Sequence, residues 1–416
     1  MARTKSIALI APVHSYRASV YLAAAAKHGI SIIFISDGFA DVIPSTTEGI
    51  RVKFTDLIEA KRIICEALAA HDVQAVLAPD EKFVELAAEV SAELKLPHNS
   101  VHSLNTVSNK YLSRQSLKTS GVDSVPDFKL VNLQESIDKQ LSDIRYPCVA
   151  KPLNLSASRG VIRADNRNEL VGALERIKKI LQFEFENPNA LQTIVEEYVH
   201  GTEHALEGYL HEGNLEVISI FDKPDPLHGP YFEETYYTTP SRLSQSVQEQ
   251  IRNSVLKGCN AHGLSMGPIH AEVRVSHAKV WILEIAARSI GGDCGRIFEL
   301  ATRSSLEEFV VCRAIGQPVD TLNLEHAAGV LMIPVSENGI LRRVEGVTKA
   351  QSVENICEVR LDLREGEKLV RWPEGGKYPG FIYSIADSPA RAEAALRESY
   401  AHLKFVCMPD LPVLVK

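Results

Sequence analysis

Short apolar runs alternate with segments of helical spacing through the first hundred residues. Ile7–Ile10, Ile32–Ile35 and Val73–Ala78 are nearly continuous apolar runs, the pattern of strands buried on both faces. Arg17–His28, Leu57–Ala70 and Glu81–Leu94 read as the helices between and after them, the first stopped by Gly29. This alternation predicts a parallel βα domain over residues 1–104. From residue 105 to 317 the pattern changes to α+β. Val107–Ser120 reads as one helix, Tyr146–Pro152 as a strand with a lysine near its tip, and Leu153–Gly160 as a loop. Further strands follow at Gln192–Val199, His204–Leu210, Leu215–Phe221, Ile269–Ser276 and Val280–Ala287. A helix carrying Val247, Ile251, Val255 and Cys259 fits a cap at Ser241. Residues 318–416 are strand-rich, with one late helix at Ala390–Leu403, and read as a third, α+β domain.

Composition narrows the class. The chain has 416 residues, with 45% hydrophobic and 24% charged residues, which is globular and not disordered. Lys+Arg 45 against Asp+Glu 53 gives a net charge of −8, so no global positive field draws it to nucleic acid or an anionic membrane. The longest apolar run, Ala327–Val335, falls far short of the ~20 residues of a bilayer span. The basic Met1–Lys5 start reads as the lead-in to a first strand, not as a secretory signal. Seven scattered cysteines without a CxxC fit reduced thiols, so a cytoplasmic protein is expected. No GxGxxG follows the first strand, which argues against a dinucleotide site there.

The stretch around Ala278 carries the densest chemistry. A hairpin turn centred there sets Glu272 opposite Glu284, each six residues away. Alternation adds His270, Arg274 and Arg288 to that face and leaves Ala271, Val273, Leu283 and Ile285 to the core. Facing carboxylates repel. A divalent cation between them removes that cost, and oxygen ligands suit Mg²⁺. Arg288 can then grip a phosphate. The plainer reading of the hairpin is a solvated charged surface. Lys151-Pro152 leads into the polar 154–160 loop, which offers Ser156, Ser158, Arg159 and the backbone of Gly160 to a phosphate, or is simply a turn. Lys110 on its helix is an ordinary exposed residue when read alone. The Glu196-Glu197-Tyr198-Val199 strand end can pair its backbone with a purine edge, and Glu203, seven residues past Glu196, can take ribose hydroxyls. A charged strand edge is the alternative.

In this order the elements resemble the ATP-grasp superfamily, from the N-terminal βα (pre-ATP-grasp) domain through the glutamate hairpin. The resemblance implies that Lys110 and Lys151 contact ATP phosphates. It gives Ser156, Ser158, Arg159 and Gly160 to a lid, Glu196, Glu197, Tyr198 and Val199 to adenine, and Glu203 to ribose. Glu272 and Glu284 would hold Mg²⁺, or Mn²⁺ in its place, and Arg288 the transferring phosphoryl group. Many members carry Asn two residues after the second glutamate, where this chain has Ala286. The Glu284-Ile-Ala-Ala-Arg288 run, the Gly291-Gly292 turn, the Gly229–Tyr237 stretch and the strand-rich C-terminal domain resemble the L-amino-acid ligase branch.

That branch implies a ligase joining two L-amino acids through an acyl phosphate, with release of ADP and phosphate. Glu233 or Glu234 would hold an ammonium and Arg288 or Arg296 a carboxylate. Gly291 and Gly292 would either leave room for a bulky side chain or simply turn the chain. Some relatives place His three residues after the acid, where Tyr237 stands here. Partners are then small-molecule carboxylates and amines, with neither nucleic acid nor membrane; family members are often homodimers, and dipeptide ligases often serve secondary metabolism. The alternatives are another ATP-grasp ligase, of carboxylase or nucleotide-biosynthesis type, and an ATP-binding sensor without turnover.

Overall fold

The computed structural model describes residues 5–38, 48–185, 187, 191–277, 279–319 and 324–409. The basic residues 1–4 and the turn centre Ala278 lie outside this set. At the N-terminus, strands Lys5–Ile10, Ser31–Ser36, Glu48–Arg51 and Asp72–Leu77 form a parallel sheet. The first strand is central, flanked by the second and the fourth. Helices Ala18–Lys27 and Leu306–Ala314 cover one face, and Leu57–Leu68 and Val84–Glu93 the other. Burial on both faces is why these strands are continuous apolar runs.

A second, antiparallel sheet joins Phe128–Asn132, Gln192–Glu197, Cys148–Pro152 and Ile162–Ala164 in that order. Helix Arg167–Glu184 seals its inner face with Leu170, Leu174, Ile177 and Leu181. The third sheet has eight strands and runs across residue 318. Lys279–Ala286, Gly267–Ser276, Thr202–His211, Asn214–Lys223 and Tyr236–Thr239 continue into Ala327–Met332, Gly380–Ala386 and Ile356–Leu361. The Tyr236–Thr239 strand pairs with Ala327–Met332, so hydrogen bonding fuses the central and C-terminal segments into one sheet. A small three-stranded sheet of Gly339–Glu345, Lys368–Leu369 and Lys404–Met408 completes the C-terminal part. Helix and strand together make the mixed α/β and α+β architecture that the sequence predicts.

Three local readings change. The helix expected over 107–120 is two helices, Val101–Ser108 and Lys110–Thr119. Asn109 breaks it, its side-chain oxygen accepting the N–H groups of Tyr111 and Leu112 as an N-cap. Ser244, not Ser241, precedes helix Gln245–His262; the Ser241 hydroxyl instead donates to Asp222. Leu283 leaves the core. Ser276 pairs with Lys279 and Val273 with Ile282, a register that by itself would set Glu272 against Leu283. A β-bulge at Leu283 adds one residue and brings Glu284 opposite Glu272. The spare backbone groups find partners: the Leu283 carbonyl accepts from Arg114 and the Ile282 N–H donates to Ser124. Ile282 and Ile285 therefore fill the core while Leu283 lines a cleft.

Candidate active site

One cleft of about 1160 Å³ lies where the three large sheets meet. The parallel sheet contributes Tyr16 and Arg17, after its first strand, and Pro79, Asp80 and Glu81, after its fourth. These are the carboxyl ends of strands at which the chain order reverses, a standard place for a ligand in such sheets. The four-stranded antiparallel sheet contributes Lys151 and leads into the Ser156–Ser158 loop. The eight-stranded sheet contributes Glu203, Glu234, Tyr237, Glu272, Glu284 and Arg288.

Lys110 is the first residue of the second helix, and its side chain turns inward. Its ammonium donates to the Leu155 carbonyl at 2.9 Å and stands 3.5 Å from Glu284. It therefore braces the base of the 153–160 loop against the hairpin and is not an exposed surface residue. Lys151 Nζ reaches the cleft 2.6 Å from the buried carboxylate of Glu196. Glu196 also pairs with Arg114 at 2.7 Å. Burial pushes its pKa up, yet Arg114 and Lys151 outweigh that and hold it at about 2. The side chain of Glu196 thus fixes the cations, and its backbone lies inside a strand ladder. Beyond it, the N–H groups of Glu197 and Tyr198 donate to Asp127 and Pro147 and the Val199 carbonyl accepts from Arg274. The Val199 N–H has no partner among the described residues.

Among the carboxylates of the cleft stands Lys223, a residue that the resemblance leaves unassigned. Its ammonium lies 2.8 Å from Glu203, 2.9 Å from Glu234 and 2.8 Å from Glu272, with its side chain only 3% exposed. Burial alone would lower its pKa; the three carboxylates reverse this and hold it well above the ordinary lysine value. Its signal in sequence is the one Lys151 has, a lysine closing an apolar strand just before a proline. Both Glu203 oxygens are engaged, one by Lys223 and one by Arg274 at 2.9 Å. Glu234 lies in the cleft. Its neighbour Glu233 points the other way, toward a second cavity, where it accepts the Val335 N–H at 3.1 Å. Tyr237 is buried with its ring under Lys223.

Glu272 and Glu284 both face the cleft, and among the described residues only Lys110 forms an ion pair with Glu284. No cluster of three metal-ligating side chains occurs among the described residues. Two carboxylates still suit Mg²⁺, which takes few protein ligands and draws the remainder from phosphates and water. Ala286, where many relatives have Asn, is buried opposite His270 and adds no ligand. His270 lies between Glu207, at 2.6 Å, and Glu272, at 3.8 Å. Burial would depress its pKa, but Glu207 and Glu272 raise it to about 9. The other Glu207 oxygen accepts the Ile290 N–H, and Arg17 donates to the Ser289 and Ile290 carbonyls, so the turn that follows Arg288 is held from two sides. Arg288 itself meets Glu81 at 3.1 Å.

Gly291 and Gly292 border this cleft. Gly292 is left-handed at φ 63, and a Cβ there would lie 2.7 Å from Met332 Sδ, so glycine is required by the backbone. A Cβ on Gly291 would meet nothing closer than 3.7 Å, which leaves real space beside Tyr16. Arg159 is turned away from the cleft, to Glu184 at 2.7 Å and to the Glu374 carbonyl. Gly160 likewise lies behind the loop, packed on Pro152.

Comparison with known proteins agrees with this architecture. The ATP-grasp domain model matches residues 144–297, and that of the L-amino acid ligase C-terminal domain 2 matches residues 331–408. Dapdiamide A synthase of Enterobacter agglomerans is 24% identical over 346 residues, spanning 80% of this chain and 79% of its own length. Carnosine synthase 1 of Gallus gallus is 29% identical over 264 residues, 60% of this chain but 27% of that protein. The crystal structure of L-amino acid ligase from Bacillus licheniformis superposes with a TM-score of 0.79 at 24% identity, covering 98% of this chain and 100% of the other. No described helix is long and apolar enough to cross a membrane. With a cleft of this construction and both domain matches, the chain has the ATP-grasp fold and carries an ATP-grasp domain together with an L-amino acid ligase C-terminal domain 2.

Proposed function

We propose that the chain condenses two amino acids, or an amino acid and a closely related amine, at the expense of ATP. One observation carries the reading: a single cleft gathers the cations Lys110, Lys151 and Arg288 and the carboxylates Glu234, Glu272 and Glu284. A substrate carboxylate attacks the γ-phosphoryl group of ATP, giving an acyl phosphate and ADP. The amine then attacks the acyl carbon and phosphate leaves. Two anions must meet in the first step, so the barrier is chiefly electrostatic. Glu272 and Glu284 would hold Mg²⁺, which when bound neutralises charge on the phosphates. Lys110 and Lys151 bind phosphate oxygens, and Arg288 orients the transferring group or the substrate carboxylate. Glu234 accepts an incoming ammonium, and Gly291 leaves room for its side chain. The Ser156–Ser158 loop keeps water from the acyl phosphate. The backbone of Glu197–Val199 serves adenine.

The test is ADP release with ATP and Mg²⁺ across the twenty L-amino acids, singly and in pairs, with mass detection of products. Release that needs a pair and yields their condensation mass supports the reading. Release that ignores the amine, or none with any pair despite ATP binding, refutes it.

A further inference from the structure

We propose that the C-terminal turn Trp372–Gly376 is the seat of the nucleotide loop, with Trp372 as the positioning residue that holds it closed. The loop has a conformation it would not keep alone. Ala157 and Ser158 are both left-handed, at φ 54 and 53, a costly geometry for residues with a Cβ. Three hydrogen bonds from the C-terminal turn hold it there. The Trp372 indole N–H donates to the Ala157 carbonyl at 3.0 Å. The Gly160 N–H donates to the Pro373 carbonyl at 2.9 Å, and Arg159 Nε donates to the Glu374 carbonyl at 3.2 Å. Gly160 is itself left-handed, and a Cβ there would lie 2.7 Å from Pro152, so the loop packs flat against its own strand on this side.

The turn is tied down in its own right. Trp372 is 3% exposed and packs on Tyr378, with ring centroids 4.8 Å apart. The Glu374 carboxylate accepts from Arg176, at 2.7 Å for Nη2, on the helix that backs the four-stranded antiparallel sheet. One turn therefore grips both the loop and the helix of the four-stranded antiparallel segment. Just past that turn, Lys377 and Tyr378 line the cleft. A substrate resting on this wall stabilises the seat, and the seat stabilises the loop over the phosphates. Closure, and with it exclusion of water from the activated carboxylate, is set by a segment more than 200 positions from the loop in sequence.

The consequence for coupling rests on the ligase reading, whereas the seat itself does not, and three readouts separate them. Trp372→Phe keeps a ring and deletes one donor, and Glu374→Gln weakens the Arg176 tie while keeping the carbonyl that meets Arg159. A neutral hydrogen bond is worth about fivefold in an opening equilibrium. Tryptic cleavage after Arg159 in the full chain should accelerate about fivefold in Trp372→Phe, and affinity for a non-hydrolysable ATP analogue with Mg²⁺ should fall by a similar factor. Glu374→Gln should move both in the same direction. ADP released per product formed should rise in both variants, a ratio that simple loss of folded enzyme does not change. Unchanged cleavage and analogue affinity in both variants overturn the seat. Faster cleavage with unchanged coupling overturns the positioning role. A parent without amine-dependent ADP release overturns the ligase reading, and the first two readouts still decide the seat.

Discussion

Replacing Lys223 by methionine would preserve its length and remove the one ammonium shared by Glu203, Glu234 and Glu272. Each contact is a buried charge pair at 2.8–2.9 Å. Removing one partner of a buried pair costs about 3–5 kcal/mol, because the other charge is left without compensation. Here Glu203 keeps Arg274 and Glu272 keeps His270, so the low end of that range, about 3 kcal/mol, is the expectation near pH 8. The stranded carboxylates would then bind protons more tightly folded than unfolded. A carboxyl whose folded pKa is raised loses its stabilising contribution as pH climbs through that value, so the penalty should shrink toward pH 5. Urea unfolding at pH 8 and pH 5, with ADP release measured alongside, reads both. Turnover should fall at least about tenfold, since Glu234 and Glu272 lose their fixed positions. A variant within about 0.5 kcal/mol of the parent at pH 8, with normal turnover, would show that Lys223 does not organise the cleft.

Further outcomes follow from the same geometry. Glu284→Gln should cut turnover by at least about a hundredfold, through loss of a charge facing the metal, while leaving stability within about 0.5 kcal/mol, because its side chain is 31% exposed; near-normal activity would sink the Mg²⁺ assignment. Burial raises Glu233 to about 7, so the parent should lose stability relative to Glu233→Gln as pH rises from about 4.5 to about 7, by roughly 1–3 kcal/mol. Parallel unfolding curves across that window would contradict it. Gly291→Val should fold normally and discriminate against large substrate side chains, seen as a narrowed pair profile in the ADP-release screen; an unchanged profile would place the specificity pocket elsewhere.

Much of the fold is legible along the chain because it follows from local rules. Apolar runs at Ile7–Ile10 and Ile32–Ile35 are strands because only a doubly covered sheet buries both their faces. Turn geometry alone predicts Glu272 facing Glu284, and the pairing is present for a different reason. The turn is tighter than expected, and the bulge at Leu283 corrects the count. That bulge is sustained by Arg114 and Ser124, which are distant in sequence, so no local pattern announces it.

Local patterning is enough to specify the parallel N-terminal sheet and the order of the lysines, loop and paired glutamates along the chain. These depend on period, on strand alternation and on the residues that start and stop elements, all set within a few positions. Only the tertiary structure decided which charges are free. It turned Lys110 inward, bound Glu196 and Glu203 to cations, sent Glu233 and Glu234 to opposite sides, and put Lys223 at the centre. It also fused the C-terminal strands into the central sheet and brought Trp372 onto Ala157. The physical reason is that burial and pairing of a charge depend on every element packed around it, and those elements come from across the whole chain.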